Sequence, residues 1–181
     1  MADGTLKVGQ ITTSSGSGTI TIPNTVTVAG AMANTPAFFA FLSSDSSVVS
    51  DATWTKVQID SELFDTDNCY DNSSNYRFTP TTAGKYKVEY GITFNPFAAD
   101  DVSEALLGLY KNGSLFLQPG MSFGTHPITS CSITGSQIID FNGSSDYIEL
   151  YGYFNEVSAG GAKFNSYKRS CYLGASKLTG I

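Results

Sequence analysis

Charged residues are scarce in this sequence, and their scarcity argues against several classes of protein. Asp, Glu, Lys and Arg make up 14% of the 181 residues, and the net charge is −6. An acidic, charge-poor surface repels phosphate backbones and anionic lipid headgroups, so we expect neither a nucleic-acid nor a membrane partner. No apolar run approaches the roughly 20 residues that a membrane-spanning helix requires.

Residues that commonly carry out catalysis are also few. The single histidine, His126, precedes Pro127, and no nucleophile motif, phosphate-binding glycine loop or zinc-ligand spacing accompanies it. We therefore expect no enzyme and no cofactor, although the paired carboxylates of a glycoside hydrolase meet only in the fold and leave a hydrolase as a distant alternative. Cys69, Cys131 and Cys171 form no CxxC pair, which predicts reduced, buried thiols.

What the sequence does contain is a series of short strand patterns separated by turns. The clearest is Lys85–Asn95, in which alternate apolar side chains line one face. Ala37–Leu42 is almost entirely apolar, which predicts a strand buried between two sheets. The predicted strands are Ala37–Leu42, Trp54–Asp60, Tyr76–Thr79, Lys85–Asn95, Glu104–Lys111, Leu115–Phe123, Ser130–Phe141, Asp146–Asn155 and Asn165–Leu173. About ten strands without a convincing helix predict an all-β fold, an antiparallel jelly-roll sandwich.

The first 35 residues differ in composition from the rest of the chain. Asp3 and Lys7 are their only charged residues, and three short segments (TLKV, TITI and TVTV) alternate apolar and polar positions. Residues 1–35 are thus predicted to form an extended N-terminal arm, followed by a jelly-roll domain at 36–181. The arm has too few apolar side chains to offset its ordering entropy, so we expect it to add strands to a neighbouring sheet; packing on its own domain is the alternative. The expected anchoring residues are Leu6, Val8, Ile11, Ile20, Ile22, Val26 and Val28.

Several motifs in residues 36–181 resemble those of a known family. Tyr70-Asp71, Tyr76–Pro80 and Ala83–Val88 resemble the signature of the complement one-q globular head, which shares one jelly-roll superfamily with tumour necrosis factor. Leu109–Gly113 and Asp146–Leu150 resemble later strands of that head, in the same order. The resemblance implies a ten-strand jelly roll assembled as a homotrimer.

The pattern of Asp146–Asn155 indicates where subunits of such a trimer meet. Apolar side chains occupy one face of this strand, and three tyrosines occupy the other. Tyrosines are enriched at interfaces, where the ring is buried and the hydroxyl group finds a partner. The predicted trimer interface consists of Tyr147, Glu149, Tyr151 and Tyr153. The alternative is that this row of tyrosines covers its own sheet beneath a loop.

The N-terminal region points to a virus rather than to an animal protein. The sequence shows neither a signal peptide nor a collagen-like repeat, so we expect no secreted, stalked molecule. The segment VGQITTSSGSGTITIPNTVTVAG resembles the opening of structural proteins of tailed bacteriophages. These observations predict a capsid decoration (cement) protein, assembled in the bacterial cytoplasm and displayed on the virion surface. Its arm would bind the major capsid protein or another virion protein.

A second hypothesis is a binding module at the tip of a tail fibre or vertex appendage. Aromatic side chains in exposed loops can stack on a host receptor or surface glycan, and the candidates are Phe97, Phe123 and Tyr70.

Two acidic clusters are weak candidates for calcium, which takes several oxygen ligands. They are Asp65, Asp67 and Asp71, and Asp100, Asp101 and Glu104. Solvated loop carboxylates are the alternative interpretation of both clusters.

Overall fold

The computed structural model describes residues 35–179, apart from residues 98, 100 and 159. The arm and its predicted anchoring residues lie outside the described residues, except for Thr35. The division of the chain near residue 35 and the anchoring role therefore stay predictions.

The described part of the chain contains thirteen strands and one short 3₁₀ helix. The strands are β1 Ala37–Phe41, β2 Thr55–Lys56, β3 Ser61–Asp65, β4 Tyr70–Asp71, β5 Arg77–Phe78, β6 Gly84–Pro96, β7 Val102–Lys111, β8 Ser114–Leu117, β9 Gly120–Ser122, β10 Cys131–Phe141, β11 Ile148–Glu156, β12 Ala162–Phe164 and β13 Tyr172–Lys177. The 3₁₀ helix is Tyr167–Arg169. None of the described residues forms a helix long and apolar enough to cross a bilayer.

The strands pair antiparallel in two sheets that pack face to face. In sheet A the order is β10-β6-β13-β1-β3, and β12 also pairs with β6. In sheet B the order is β4-β5-β11-β7-β8, with β2 beside β11 and β9 beside β7. The predicted all-β jelly-roll sandwich is confirmed.

The long strands were predicted within about two residues, whereas several short ones were not. The pattern in β6 is confirmed, because alternate side chains from Tyr86 to Phe94 are buried in the core. Pro119 follows β8 and precedes β9, so the single strand predicted at Leu115–Phe123 is interrupted. The strand predicted at Asn165–Leu173 is wrong, because Lys168 and Arg169 have positive φ angles of 50° and 59°, which a strand does not accommodate.

The prediction that Ala37–Leu42 is buried on both faces is also wrong. Phe38 and Ala40 point into the core, but Phe39 and Phe41 lie on the outer face of sheet A and are only half-buried. The reason is that a strand in a two-layer sandwich has one face toward the other sheet and one face toward the outside.

Aromatic rings from both sheets meet in the core. Phe38 of sheet A stacks on Tyr70 and Phe78 of sheet B, with ring centroids 4.8 and 4.4 Å apart. Phe78 in turn contacts Tyr86 and Phe141 of sheet A edge-on, at 5.8 and 5.9 Å. Such pairs contribute about 0.5–1.5 kcal/mol each beyond the burial of their area. The motif residues Tyr70, Phe78 and Tyr86 therefore hold the two sheets together.

All three cysteines are buried and free, as the sequence predicts. Burial raises the pKa of Cys171 to about 11. The thiols therefore stay protonated at neutral pH and act as small apolar side chains.

Asp45 makes the stability of the folded state depend on pH in the acid range. Its carboxylate lies 2.6 Å from Lys163 Nζ, and the Ser166 backbone N–H donates to Oδ1 at 2.8 Å. The hydrogen bond from Lys163, followed by that from Ser166, lowers the pKa of Asp45 from 3.8 to about 2. A carboxyl group with a lowered pKa in the folded state stabilises that state above about pH 4, and this contribution is lost as the pH falls toward 2.

We predict that Asp45→Asn reduces the loss of stability between pH 4 and pH 2, because the substituted side chain does not titrate. Urea unfolding at pH 7, 4 and 2 measures this difference. In Lys163→Gln, the pKa of Asp45 measured by NMR should rise toward its ordinary value. An acid-induced loss that is equally steep in wild type and Asp45→Asn would contradict this role.

Candidate functional site

The predicted tyrosine face lies on the outer side of sheet B. Ile148, Leu150 and Phe154 of β11 are buried in the core, as the alternation predicts. Tyr151 and Tyr153 project from the opposite face and are half-buried. The trimer interface formed by Tyr147, Glu149, Tyr151 and Tyr153 stays a prediction.

Part of this tyrosine face is covered from within the same subunit. Trp54, in the segment before β2, packs against Tyr153 and Tyr110, with ring centroids 5.4 and 6.0 Å apart. Tyr110 packs against Tyr151 at 4.2 Å. Gly108 makes room for the indole ring, because a Cβ atom there would lie 2.7 Å from Trp54 Cζ3. The tyrosine face is thus partly covered from within its own subunit, which is consistent with the alternative interpretation of this row of tyrosines.

An ion pair completes the tyrosine face. Glu149 is buried, and its Oε1 accepts a hydrogen bond from Lys56 Nζ at 2.6 Å. Burial lowers the pKa of Lys56, but the hydrogen bond and the charge of Glu149 outweigh it, so the pKa is raised. Beside this pair, the Arg77 guanidinium lies over the Tyr147 ring at 4.5 Å. The face therefore combines packed rings with charges that are already paired.

The outer face of sheet A has a different character. Tyr172 lies over Gly91, and Phe39 lies over Gly174; the two rings stack at 5.5 Å. A Cβ atom at Gly91 would come within 2.4 Å of the Tyr172 ring, so the rings lie flat only because glycine is present beneath them. Phe64, which pairs with Phe39 across β3 and β1, is 46% exposed. We call this set the sheet A aromatic surface: Phe39, Phe41, Phe64 and Tyr172.

A second group of apolar side chains is exposed at an edge of sheet B. Leu115 and Phe116 of β8 and Met121 of β9 are between 43% and 50% exposed. We call these three residues the β8–β9 edge patch; Leu115 pairs with Tyr110 and Met121 with Ala105, so the patch extends along the edge of β7 and is not one compact cluster. Sequence reasoning missed both surfaces. One signal was present in the run Ala37–Phe41, because Phe38 and Phe39 are adjacent in a strand and therefore cannot both face the core.

The proposed glycan-stacking residues are in three different environments. Phe97 is exposed, and Phe123 is partly buried against the core. Tyr70 is only 5% exposed, and its hydroxyl group donates to the Ile59 carbonyl at 2.9 Å. Its proposed role in stacking on a glycan is therefore wrong, because its ring is used in the core.

A polar cleft of about 630 Å³ lies beside β4 and β5. Glu62, Arg77 and three asparagines are among its lining residues. Burial and the charge of Asp65 raise the pKa of Glu62. The Asp71 carboxylate accepts backbone N–H bonds from residues 73–75, which lower its pKa and fix the loop at the rim.

The predicted acidic clusters do not converge on a metal. Asp65 accepts backbone N–H bonds from Asp67 and Tyr70, and thus organises a turn. Asp100 lies outside the described residues. Asp101 is buried beside Ser158, whereas Glu104 accepts a bond from Asn155 Nδ2 at 3.4 Å. Within the part of the chain that the structure describes, no group of three or more His, Cys, Asp or Glu side chains could hold a metal ion.

The Lys56–Glu149 pair provides a test of how the tyrosine face is stabilised. We predict that Glu149→Ala lowers the free energy of unfolding by about 1.5–3 kcal/mol, because Lys56 loses a charged hydrogen-bond partner in a half-buried site. Asp140→Ala removes the exposed partner of Lys85 and should cost at most about 1 kcal/mol. Urea unfolding of both variants at pH 7 measures the difference. Equal losses in the free energy of unfolding would show that the partly buried Lys56–Glu149 pair stabilises the fold no more than the exposed Lys85–Asp140 pair does.

No family model and no curated protein matches the chain. Solved structures do match. Murine APRIL aligns with a TM-score of 0.54 and 12% identity, covering 78% of this chain and 98% of its own. The globular domain of zebrafish complement 1qA protein aligns with a TM-score of 0.53 and 10% identity, covering 79% of this chain and 96% of its own. Eiger TNF from S. frugiperda aligns with a TM-score of 0.53 and 15% identity, covering 80% of this chain and 92% of its own. The chain therefore has the jelly-roll fold of tumour necrosis factor and complement one-q heads.

Proposed function

We propose that the chain is a non-enzymatic, homotrimeric structural protein of a bacteriophage particle, most specifically a capsid decoration protein. The observation that supports self-association is the pair of partly exposed apolar surfaces on the described domain. The phage role rests on the resemblance of the N-terminal segment to openings of phage structural proteins. The jelly-roll head would stand on the virion surface, and the arm would bind the major capsid protein or another virion protein.

The two apolar surfaces favour a head-to-tail contact. The sheet A aromatic surface and the β8–β9 edge patch lie on different sheets, so one can pack against the other in a neighbouring copy. A contact between two different surfaces is heterologous, and it closes into a ring when the rotation between copies permits. The resemblance to complement one-q heads makes three copies the expected number. Burying Phe39 and Phe64 in this way would remove apolar area from water, which stabilises the assembly.

We predict that Phe64→Glu and Phe116→Glu weaken trimer formation by at least about 30-fold, because each places a charge in an apolar interface. Sedimentation equilibrium measures the trimer, and circular dichroism checks the fold. Tyr167→Glu alters an aromatic residue that is 68% exposed and lies outside both surfaces, and it should leave the trimer intact. Tyr153→Ser distinguishes the tyrosine face from the contact between the two apolar surfaces. If this variant dissociates while Phe64→Glu and Phe116→Glu remain trimeric, the tyrosine face is the interface. A wild-type chain that is monomeric would refute the trimer.

The attachment role is tested by removing the arm. We predict that a chain lacking residues 1–30 no longer associates with phage particles but still forms trimers, because the proposed interfaces lie within the described domain. Co-sedimentation with particles that lack the protein measures attachment. Wild-type chain should bind at hundreds of copies per particle. Undiminished binding of the truncated chain would overturn the anchoring role.

The alternative function is recognition of a host receptor or glycan by a fibre or vertex tip. The polar cleft beside β4 and β5 favours it, since the Arg77 guanidinium and the Glu62 carboxylate can bond to hydroxyl groups of a sugar. The soluble head would then block phage adsorption to cells. A few dozen copies per particle, rather than hundreds, would also support this alternative.

A further inference from the structure

Two carboxylates lie together at one end of sheet B. Asp101 immediately precedes β7, and Glu156 is the last residue of β11, where it pairs with Val102. The Val157 N–H donates to the Asp101 carbonyl at 2.9 Å. The two residues are therefore on neighbouring strand ends, beneath the loop that connects β11 to β12.

This loop satisfies one oxygen atom of each carboxylate. Asp101 Oδ1 accepts bonds from the Ser158 N–H at 2.7 Å and from its hydroxyl group at 2.8 Å. Glu156 Oε2 accepts bonds from the N–H groups of Gly160 and Gly161, both at 3.0 Å. Both side chains are thus held in defined orientations under the same loop.

The other oxygen atom of each carboxylate has no partner among the described residues. Asp101 Oδ2 and Glu156 Oε1 are enclosed, and neither accepts a hydrogen bond from any residue that the structure describes. Asp101 is only 2% exposed. The ion pairs among the described residues use other carboxylates, so no lysine or arginine compensates these two. A buried carboxylate oxygen without a donor or cation is costly, and native proteins rarely leave one in that state.

A third carboxylate lies close to the same strand end. Asp51 Oδ1 accepts a bond from the Glu156 backbone N–H at 2.8 Å, and the side chain of Asp51 is exposed. Asp51 in the loop before β2, Asp101 just before β7 and Glu156 at the end of β11 therefore bring negative charge to one end of the sandwich. Negative charge concentrated in this way favours a nearby cation.

We propose that Asp101 and Glu156 bind a divalent cation, and that calcium is the preferred ion. Calcium takes oxygen ligands in flexible geometry and accepts backbone carbonyls and water beside carboxylates, which suits a site with two carboxylates and a surrounding loop. Magnesium requires near-ideal octahedral geometry and retains its water, so it should bind more weakly. The ion would fasten the β11–β12 loop to the start of β7.

This site differs from the cluster that the sequence indicates. Asp101 belongs to both, but Glu156 replaces Asp100 and Glu104 as its partner. The proposal depends neither on the trimer nor on attachment to a particle, so it can fail or succeed independently of them.

The experiment uses the full chain after removal of metal with EDTA. Calcium should raise the melting temperature by about 5–10 °C at 100 times its dissociation constant, and isothermal titration calorimetry with calcium chloride should show one ion per chain. Asp101→Asn and Glu156→Gln should each weaken calcium binding at least tenfold. Asp140→Asn, which alters an exposed carboxylate elsewhere, should bind calcium as wild type does.

A second measurement keeps the test independent of folding defects. In EDTA, the isosteric Asp101→Asn should melt at or above the wild-type temperature, because it removes an uncompensated buried charge while Oδ1 keeps its bonds to Ser158. If water alone satisfies the two oxygen atoms, millimolar calcium will leave the wild-type melting temperature unchanged, and the proposal is overturned. An equal calcium-induced shift in wild type and Asp101→Asn would overturn it as well.

Discussion

The stacking of Phe38 on Tyr70 and Phe78 is the interaction on which the other features depend. Phe38 belongs to sheet A, and its two partners belong to sheet B, so the contact fixes how the sheets face each other. Phe78 extends the contact to Tyr86 of β6 and Phe141 of β10, on the inner face of sheet A. Because interiors are packed as densely as organic crystals, these rings also determine which face of each strand remains outside.

The outer faces of the two sheets are consequently suited to different tasks. On sheet B, the indole ring of Trp54 and the Lys56–Glu149 pair cover part of the tyrosine face. On sheet A, glycines beneath Phe39 and Tyr172 produce a flat aromatic surface; Arg169 lies over Phe41 at one side of it, and Phe64 is 46% exposed. Large exposed apolar patches are uncommon on monomers and mark sites of association. This contrast favours a subunit contact that includes the outer face of sheet A.

The shared fold by itself says little about function. Structures that match at 10–15% identity demonstrate a common jelly roll, but one fold can carry many unrelated functions. Function has to be argued from particular surfaces and side chains. Here these are the two apolar surfaces, the polar cleft beside β4 and β5, and the enclosed oxygen atoms of Asp101 and Glu156.

The sequence by itself determined the fold class, the long strands and their inward faces. In β6 and β11, a side-chain period of two residues is enough to separate core from exterior, because successive side chains point to opposite sides. Only the tertiary structure decided that Trp54 covers Tyr153, that Tyr70 is buried, and that Asp101 meets Glu156. These contacts join residues far apart in the chain, and an alternating pattern reports one strand's faces without identifying the strand or loop that packs against them.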